Sequence, residues 1–220
     1  MINKKLNTNF YTGIGSRQTP DEVQNEIVKW SNSMQNNWIL RSGGAKGADD
    51  AFERGITISD RKEIYLPWAQ FGGRQGSGTY TVTSFAKSIQ RCAQEIAKRY
   101  HPFWEKLTSG GEILMTRNVM QILGQDLKTP SDFVVCWAQG LRYDKDGRIL
   151  DAAGGTGQAI RLAYSLFIPV LYWNDPTHQN ILKSYECNDI VKSHDLLRKT
   201  CLWDKKIVYD AVAHLHQGLT

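Results

Sequence analysis

Residues 40–55 have the sequence LRSGGAKGADDAFERG and follow the apolar run Trp38-Ile39-Leu40, which is short enough to be a buried strand. Three glycines within five positions, followed by Ala-Asp-Asp-Ala-Phe-Glu, predict a strand, a glycine turn and the start of a helix. Backbone amides in such a turn approach a ligand closely, and the helix N-terminus favours an anion. Lys46 adds a positive charge at the same place. A plain tight turn also needs glycine, so anion binding and a purely structural turn both stay open for this motif alone.

Two further glycine turns accompany predicted strands. Phe10-Tyr11-Thr12 leads into Gly13-Ile14-Gly15-Ser16-Arg17, and Ala153-Gly154-Gly155-Thr156-Gly157-Gln158 precedes a helix with apolar residues at helical spacing. Ligands of open parallel sheets bind outside the carboxyl ends of the strands. Three such turns at one edge therefore favour a phosphate-bearing ligand. None is a P-loop, and the first turn lacks the later glycine and the ribose-binding acid of an ordinary NAD site.

The order of the predicted elements indicates the fold class. Strands are expected at 10–13, 38–42, 63–67, 132–137 and 168–173, and amphipathic helices separate most of them. This alternation is typical of right-handed βαβ units and an α/β fold with a mainly parallel sheet.

Two segments leave alternatives open. Residues 69–83 contain Gly72, Gly73, Gly76 and Gly78, and they suit either a lid over the carboxyl edge of the sheet or a disordered surface loop. A predicted helix around 113–123 carries Arg117 and Asn118 among apolar neighbours. Taken locally, this polar pair is the solvated face of that helix.

Composition restricts the class of protein. The chain has 220 residues, 41% of them hydrophobic, and a formal net charge of +5, which favours anionic partners without separating nucleotides from nucleic acids. We find no apolar run of about 20 residues and no secretory signal, so we expect no membrane association. The four cysteines have no Cys-x-x-Cys spacing, and His214 and His216 are expected at the surface. The sequence therefore predicts neither a zinc site nor a disulfide framework, and it fits a reducing cytoplasm.

The motifs together resemble a known superfamily. Gly13 to Arg17, Ser42 to Asp49, Arg117-Asn118 and Gly154 to Gln158 occur in the order seen in the SLOG superfamily of Rossmann-like domains. Its members include DprA proteins, Lonely Guy phosphoribohydrolases and sensors of NAD-derived signals. The resemblance covers residues 9–173, and among stand-alone members the chain most resembles small DprA-like proteins of bacteriophages.

The resemblance implies a single Rossmann-like domain over 1–220, doubly wound, with its core at 9–173 and a helical C-terminal extension at 174–220. It implies a homo-oligomer and no cofactor beyond the bound ligand. It places the ligand-binding residues in the four motifs: Gly13, Gly15, Ser16, Arg17, Ser42, Gly43, Gly44, Ala45, Lys46, Gly47, Asp49, Arg117, Asn118, Gly154, Gly155, Thr156, Gly157 and Gln158.

One departure from the superfamily bears on activity. Lonely Guy enzymes carry a glutamate for N-glycosidic cleavage three residues after the Gly-Thr of their second glycine motif, where this chain has Arg161. If this chain still cleaves an N-glycosidic bond, Asp49 is the candidate acid, with Glu53 one helical turn further on. The alternative for Asp49 is a helix-dipole partner or cap. Two functions follow: binding of a nucleotide or nucleotide-derived signal, with sequestration or cleavage, and DprA-like binding of single-stranded DNA through Lys46, Arg17 and Arg117.

Overall fold

The computed structural model describes residues 9–143, 145, 149–152, 154–186, 190–201 and 203–219. Within these residues a six-stranded sheet in the order β4-β3-β2-β1-β5-β8 forms the centre of the molecule, and every neighbouring pair in it is parallel. Its strands are β1 (Phe10–Gly15), β2 (Ile39–Ser42), β3 (Lys62–Leu66), β4 (Thr79–Thr81), β5 (Phe133–Trp137) and β8 (Val170–Tyr172). A separate antiparallel hairpin joins β6 (Arg142–Tyr143) to β7 (Ile149–Asp151).

The helices form two groups around the sheet. The first two helices, α1 (Asp21–Met34) and α2 (Ala48–Gly55), connect the first three strands along the chain and pack against each other. Three others pack together as a second group: α3 (Lys87–Tyr100), α4 (Ser109–Leu123) and α5 (Gly154–Ser165). The C-terminal part contains α6 (Pro176–Glu186), α7 (Ile190–Cys201) and α8 (Lys205–Gln217).

This topology confirms the predicted fold class, a doubly wound α/β fold of the Rossmann type. The five predicted strands lie side by side in the sheet, with β5 pairing with β1 on the side opposite to β2. The chain therefore builds outward from β1 in one direction and then returns to build in the other. A reversal of this kind opens a crevice between the carboxyl ends of the two central strands.

Most residues of the central strands β1 and β5 are apolar or aromatic because these strands are buried. All five residues of β5 are buried, as expected for a parallel strand covered on both faces. Tyr11 of β1 meets Trp30 of α1 edge to face at 5.4 Å and stacks on Phe133 at 6.0 Å, so large aromatic rings fill the space between sheet and helix.

Residues 69–83 differ in part from the predicted loop. Thr79–Thr81 form the edge strand β4, which pairs with β3 through Ile64, Tyr65 and Leu66. The surrounding glycines favoured a loop in the sequence, but Thr79–Thr81 contain β-branched and aromatic residues, which suit the edge of a sheet.

The C-terminal helices are tied to the core by specific contacts. Lys205 Nζ lies 2.8 Å from the buried carboxylate of Asp132, and Trp30 Nε1 donates to the carbonyl oxygen of Leu182 at 2.9 Å. Among the helices of the described residues, none is long and apolar enough to cross a membrane.

Candidate functional site

A cavity of about 430 Å³ lies at the carboxyl ends of the central strands. Its wall includes Ile14 to Gln18 at the end of β1, Ala138 and Gln139 directly after β5, and Ala45 after β2. One face of α4 and the first turn of α5 complete the wall. The cavity therefore occupies the crevice that the reversal of strand order creates.

The first and second glycine turns pack directly on each other. Ala48 N donates to the carbonyl oxygen of Ser16 at 3.2 Å. Gly47 has φ 85°, and a Cβ there would lie 2.3 Å from that same oxygen. Only glycine fits at this position, because it combines a left-handed backbone with a close approach of two chains.

Arg117 of α4 is held against Asp49 of α2 in the interior. Arg117 Nη1 lies 3.3 Å from Asp49 Oδ2 and donates to Gln121 Oε1 at 2.9 Å. The other carboxylate oxygen of Asp49 accepts from Gly15 N at 3.1 Å. A Cβ on Gly43 would lie 1.3 Å from Arg117 Nη1, so the guanidinium occupies the space that this glycine leaves.

Burial dominates the electrostatics of this ion pair. It raises the pKa of Asp49, although the charge of Arg117 and the N–H of Gly15 act in the opposite direction. It lowers the pKa of Arg117, and Asp49 again opposes the shift. The alternative that Arg117 and Asn118 form a solvated helix face is wrong, since only 5% and 6% of these residues is exposed. The local pattern misled because α5 and the glycine turns cover this face of α4.

The third glycine turn joins the site through α5. Thr156 Oγ1 donates to the carbonyl oxygen of Gly15 at 3.2 Å. Asn118 Nδ2 donates to the carbonyl oxygen of Gly155 and to Gln158 Oε1, both at 3.1 Å. The turn of β1, the helix α4 and the N-terminal turn of α5 are therefore locked together around the cavity.

Three buried side-chain nitrogens in this network have no acceptor among the described residues: Arg117 Nε, Gln121 Nε2 and Gln158 Nε2. The orientation of both amides is fixed by their partners. Arg117 has only N–H donors, so Gln121 must present its oxygen to it. Asn118 uses its amide nitrogen on Gly155, so Gln158 must also present its oxygen. Two of these unpaired donors belong to Arg117 and Gln121, which line the cavity, and the third belongs to Gln158 behind the wall.

The rest of the wall is apolar and includes Phe71, Leu114 and Met115. Phe71 comes from the segment after β3 and meets Trp68 edge to face at 5.3 Å. Trp68 is 43% exposed.

Many of the residues predicted to bind a ligand line the cavity: Gly15, Ser16, Arg17, Ala45, Asp49, Arg117, Asn118, Gly154, Gly155 and Thr156. Others lie behind the wall or beside it: Gly13, Ser42, Gly43, Gly44, Lys46, Gly47, Gly157 and Gln158. Lys46 is exposed. Glu53 is also outside the lining, and its carboxylate forms ion pairs with Arg74 and Lys62.

Sequence patterns missed several lining residues. Gln121 lies one helical turn after Arg117, so helical spacing from the Arg-Asn pair would have found it. Leu114 and Met115 belong to the predicted helix around 113–123, and helical periodicity alone does not tell which of its apolar residues face a cavity. Phe71 had no sequence signal beyond its place in the glycine-rich segment. No cluster of three metal-ligating side chains occurs in the part of the chain that the structure describes.

Comparison with known proteins adds a likeness of fold. No family model matches the chain, and no curated protein matches it in sequence. The chain is similar to DNA processing protein A from Helicobacter pylori, a protein solved for its single-stranded DNA binding mode. The two share 17% identity with a TM-score of 0.49, over 90% of this chain and 84% of the other.

Proposed function

We propose that the cavity binds a nucleotide or a nucleotide-derived signalling molecule through its phosphate. The unpaired N–H donors of Arg117 and Gln121 in the wall are the observation that carries this proposal. Each keeps a buried nitrogen without an acceptor among the described residues, Gln158 keeps a third behind the wall, and a buried donor left unpaired costs about 1–3 kcal/mol. A ligand rich in acceptor oxygens, such as a phosphate ester, would satisfy them.

The surroundings support an anion at the same place. Gly154, Gly155 and Thr156 belong to the first turn of the twelve-residue helix α5, where free N–H groups and the helix dipole favour negative charge. Arg17 at the rim supplies a cation. Arg117 is already neutralised by Asp49, so the wall suits one phosphate group better than a chain of them.

Asp49 is assigned to holding the site rather than to hydrolysis. Both of its carboxylate oxygens are engaged, one by Gly15 and one by Arg117, and its side chain is only 5% exposed. A general base must reach the proton that it abstracts, and this carboxylate faces groups that hold it in place. We therefore propose binding and sequestration of the ligand.

Binding of single-stranded DNA is the second candidate, and one observation favours it. Lys46 and Arg17 are exposed on two glycine turns that contact each other, and Trp68 is an exposed aromatic side chain on the segment that carries Phe71. Cations combined with stacking rings are the usual components of a surface for single strands.

Titration calorimetry with AMP and with a thymidine oligonucleotide at several salt concentrations tests the proposal. A nucleotide pocket that neutralises one to three charges predicts saturable AMP binding with a slope of log affinity against log salt of about −1 to −2. AMP should also displace the oligonucleotide. Chromatography of the recovered AMP should show no released adenine. Tight oligonucleotide binding with a slope steeper than about −4, unaffected by excess AMP, would reject the nucleotide site in favour of the second candidate.

A further inference from the structure

The cavity has an aromatic end that the binding of a phosphate does not use. Phe71, Leu114 and Met115 line it, and all three side chains are partly buried. Phe71 follows β3, whereas Gly154 to Thr156 follow β5, and the strands β2 and β1 lie between these two. The lining therefore extends across the carboxyl ends of these four strands.

Residues 68–74, here called the aromatic strap, are fixed in place by polar contacts. Arg74 forms ion pairs with Asp50 and with Glu53 on α2, the first at 2.5 Å. The backbone of the strap also packs on the second glycine turn, because a Cβ on Gly72 would lie 3.2 Å from the carbonyl oxygen of Gly44. The Phe71 ring is therefore held at the cavity rather than free to leave it.

Two apolar residues of this end, Leu114 and Met115, come from α4. Met115 lies next to the first turn of α5, since a Cβ on Gly155 would be 3.0 Å from its methyl carbon. A thioether side chain adapts to flat rings and makes favourable contacts with them. Phe71, Leu114 and Met115 therefore give an apolar part to the wall of the same cavity that Arg117 and Asn118 line with polar groups.

We infer that the aromatic end is a nucleobase subsite, in which Phe71 stacks on the base of the ligand whose phosphate lies at α5. This inference rests on the proposed function and goes further, because it requires a ligand with an intact base. A sugar phosphate would satisfy the polar end and leave the aromatic end unused. Stacking of a base on an aromatic ring is worth about 1–3 kcal/mol, which corresponds to roughly 5- to 150-fold in affinity.

Binding of AMP and of ribose 5-phosphate, which differ only in the base, tests the subsite. We expect the wild-type protein to bind AMP at least about tenfold more tightly than ribose 5-phosphate. Phe71→Ala should remove most of that ratio by weakening AMP binding alone, and Phe71→Tyr should keep it. Phe103→Ala is the matched control, because Phe103 is 62% exposed and lies outside the cavity lining.

Tryptophan fluorescence gives a second readout. Trp68 is in contact with Phe71, so AMP should change its emission, and Trp68→Phe should abolish most of that change while AMP still binds. Equal affinities of wild type for AMP and ribose 5-phosphate would overturn the base subsite but leave the phosphate site intact. Equal weakening of both ligands by Phe71→Ala would also overturn it. Failure of both compounds to bind the wild-type protein would reject the proposed function itself.

Discussion

Arg117 and Asp49 are 68 residues apart in sequence, yet they form a buried ion pair with 3.3 Å between Nη1 and Oδ2. The pair joins α4 to α2 in the wall of the cavity and places the guanidinium in the space next to Gly43. The stability of the fold and the shape of the candidate site therefore depend on the same contact.

Arg117→Ala should destabilise the protein by about 3–5 kcal/mol, because it leaves the Asp49 carboxylate buried without its partner. Urea unfolding followed by circular dichroism measures the change. The double variant Asp49→Asn with Arg117→Met should recover much of the loss, since it removes both charges. Lys206→Ala on α8 is the control, as its ion pair with Asp210 is exposed and should matter little. Equal stability of Arg117→Ala and wild type would show that the pair does not form.

Gly43→Ala should displace Arg117, since the new methyl carbon would lie 1.3 Å from Nη1. We expect a loss of about 1–3 kcal/mol or more from overpacking. The same substitution in the Arg117→Ala background should cost less, since only the contact with Asp49 Oδ2 at 2.7 Å remains, and a double-mutant cycle of unfolding free energies measures this coupling. Gly110→Ala near the start of α4 meets nothing closer than 4.0 Å and serves as control. Additive effects of Gly43→Ala and Arg117→Ala would contradict the contact.

Arg17→Ala should weaken AMP binding by about 1 kcal/mol, or roughly fivefold, a modest figure because the side chain is exposed to screening. Lys46→Ala should change AMP binding little, since Lys46 lies outside the cavity lining. Calorimetry on both variants gives the comparison. A larger loss from Lys46→Ala than from Arg17→Ala would move the binding site out of the cavity and onto the surface.

His178 should make the fold sensitive to acid. Its Nδ1 accepts a hydrogen bond from Tyr172 N at 3.1 Å, and burial lowers its pKa, although Asp175 opposes the shift. The folded state then binds fewer protons than the unfolded state, so stability is complete above about pH 6.5 and is lost as the pH falls below it. The slope should stay under about 1.4 kcal/mol per pH unit, reduced further by partial solvent exposure.

Urea midpoints at pH 7.5 and 5.5 measure this effect in wild type and in His178→Asn, whose side-chain oxygen accepts the same hydrogen bond without titrating. The variant should lose less stability on acidification than the wild type. His214→Asn, at an exposed position on α8, should behave like the wild type. An unchanged pH dependence in His178→Asn would show that this histidine does not contribute.

The sequence by itself determined the architecture, because strands and glycine turns are recorded in short-range patterns. The continuous apolar run of residues 133–137 predicted a strand buried on both faces. The glycines of the first two turns indicated positions where a side chain does not fit. At Gly47, for example, a Cβ would lie 2.3 Å from the carbonyl oxygen of Ser16. The alternation of these strands with helices was enough to predict a parallel sheet with the glycine turns at its carboxyl edge.

Only the tertiary structure decided which of these residues face the cavity. The helical pattern of its neighbours placed Arg117 at the surface, because periodicity within one helix does not show that a second helix packs over its polar face. Phe71 enters the wall through contacts between segments far apart in the chain, and no local pattern encodes such contacts. Lys46 sits in the strongest motif of the sequence but is exposed and lies outside the cavity lining, because which residues of a turn face a cavity depends on how that turn packs.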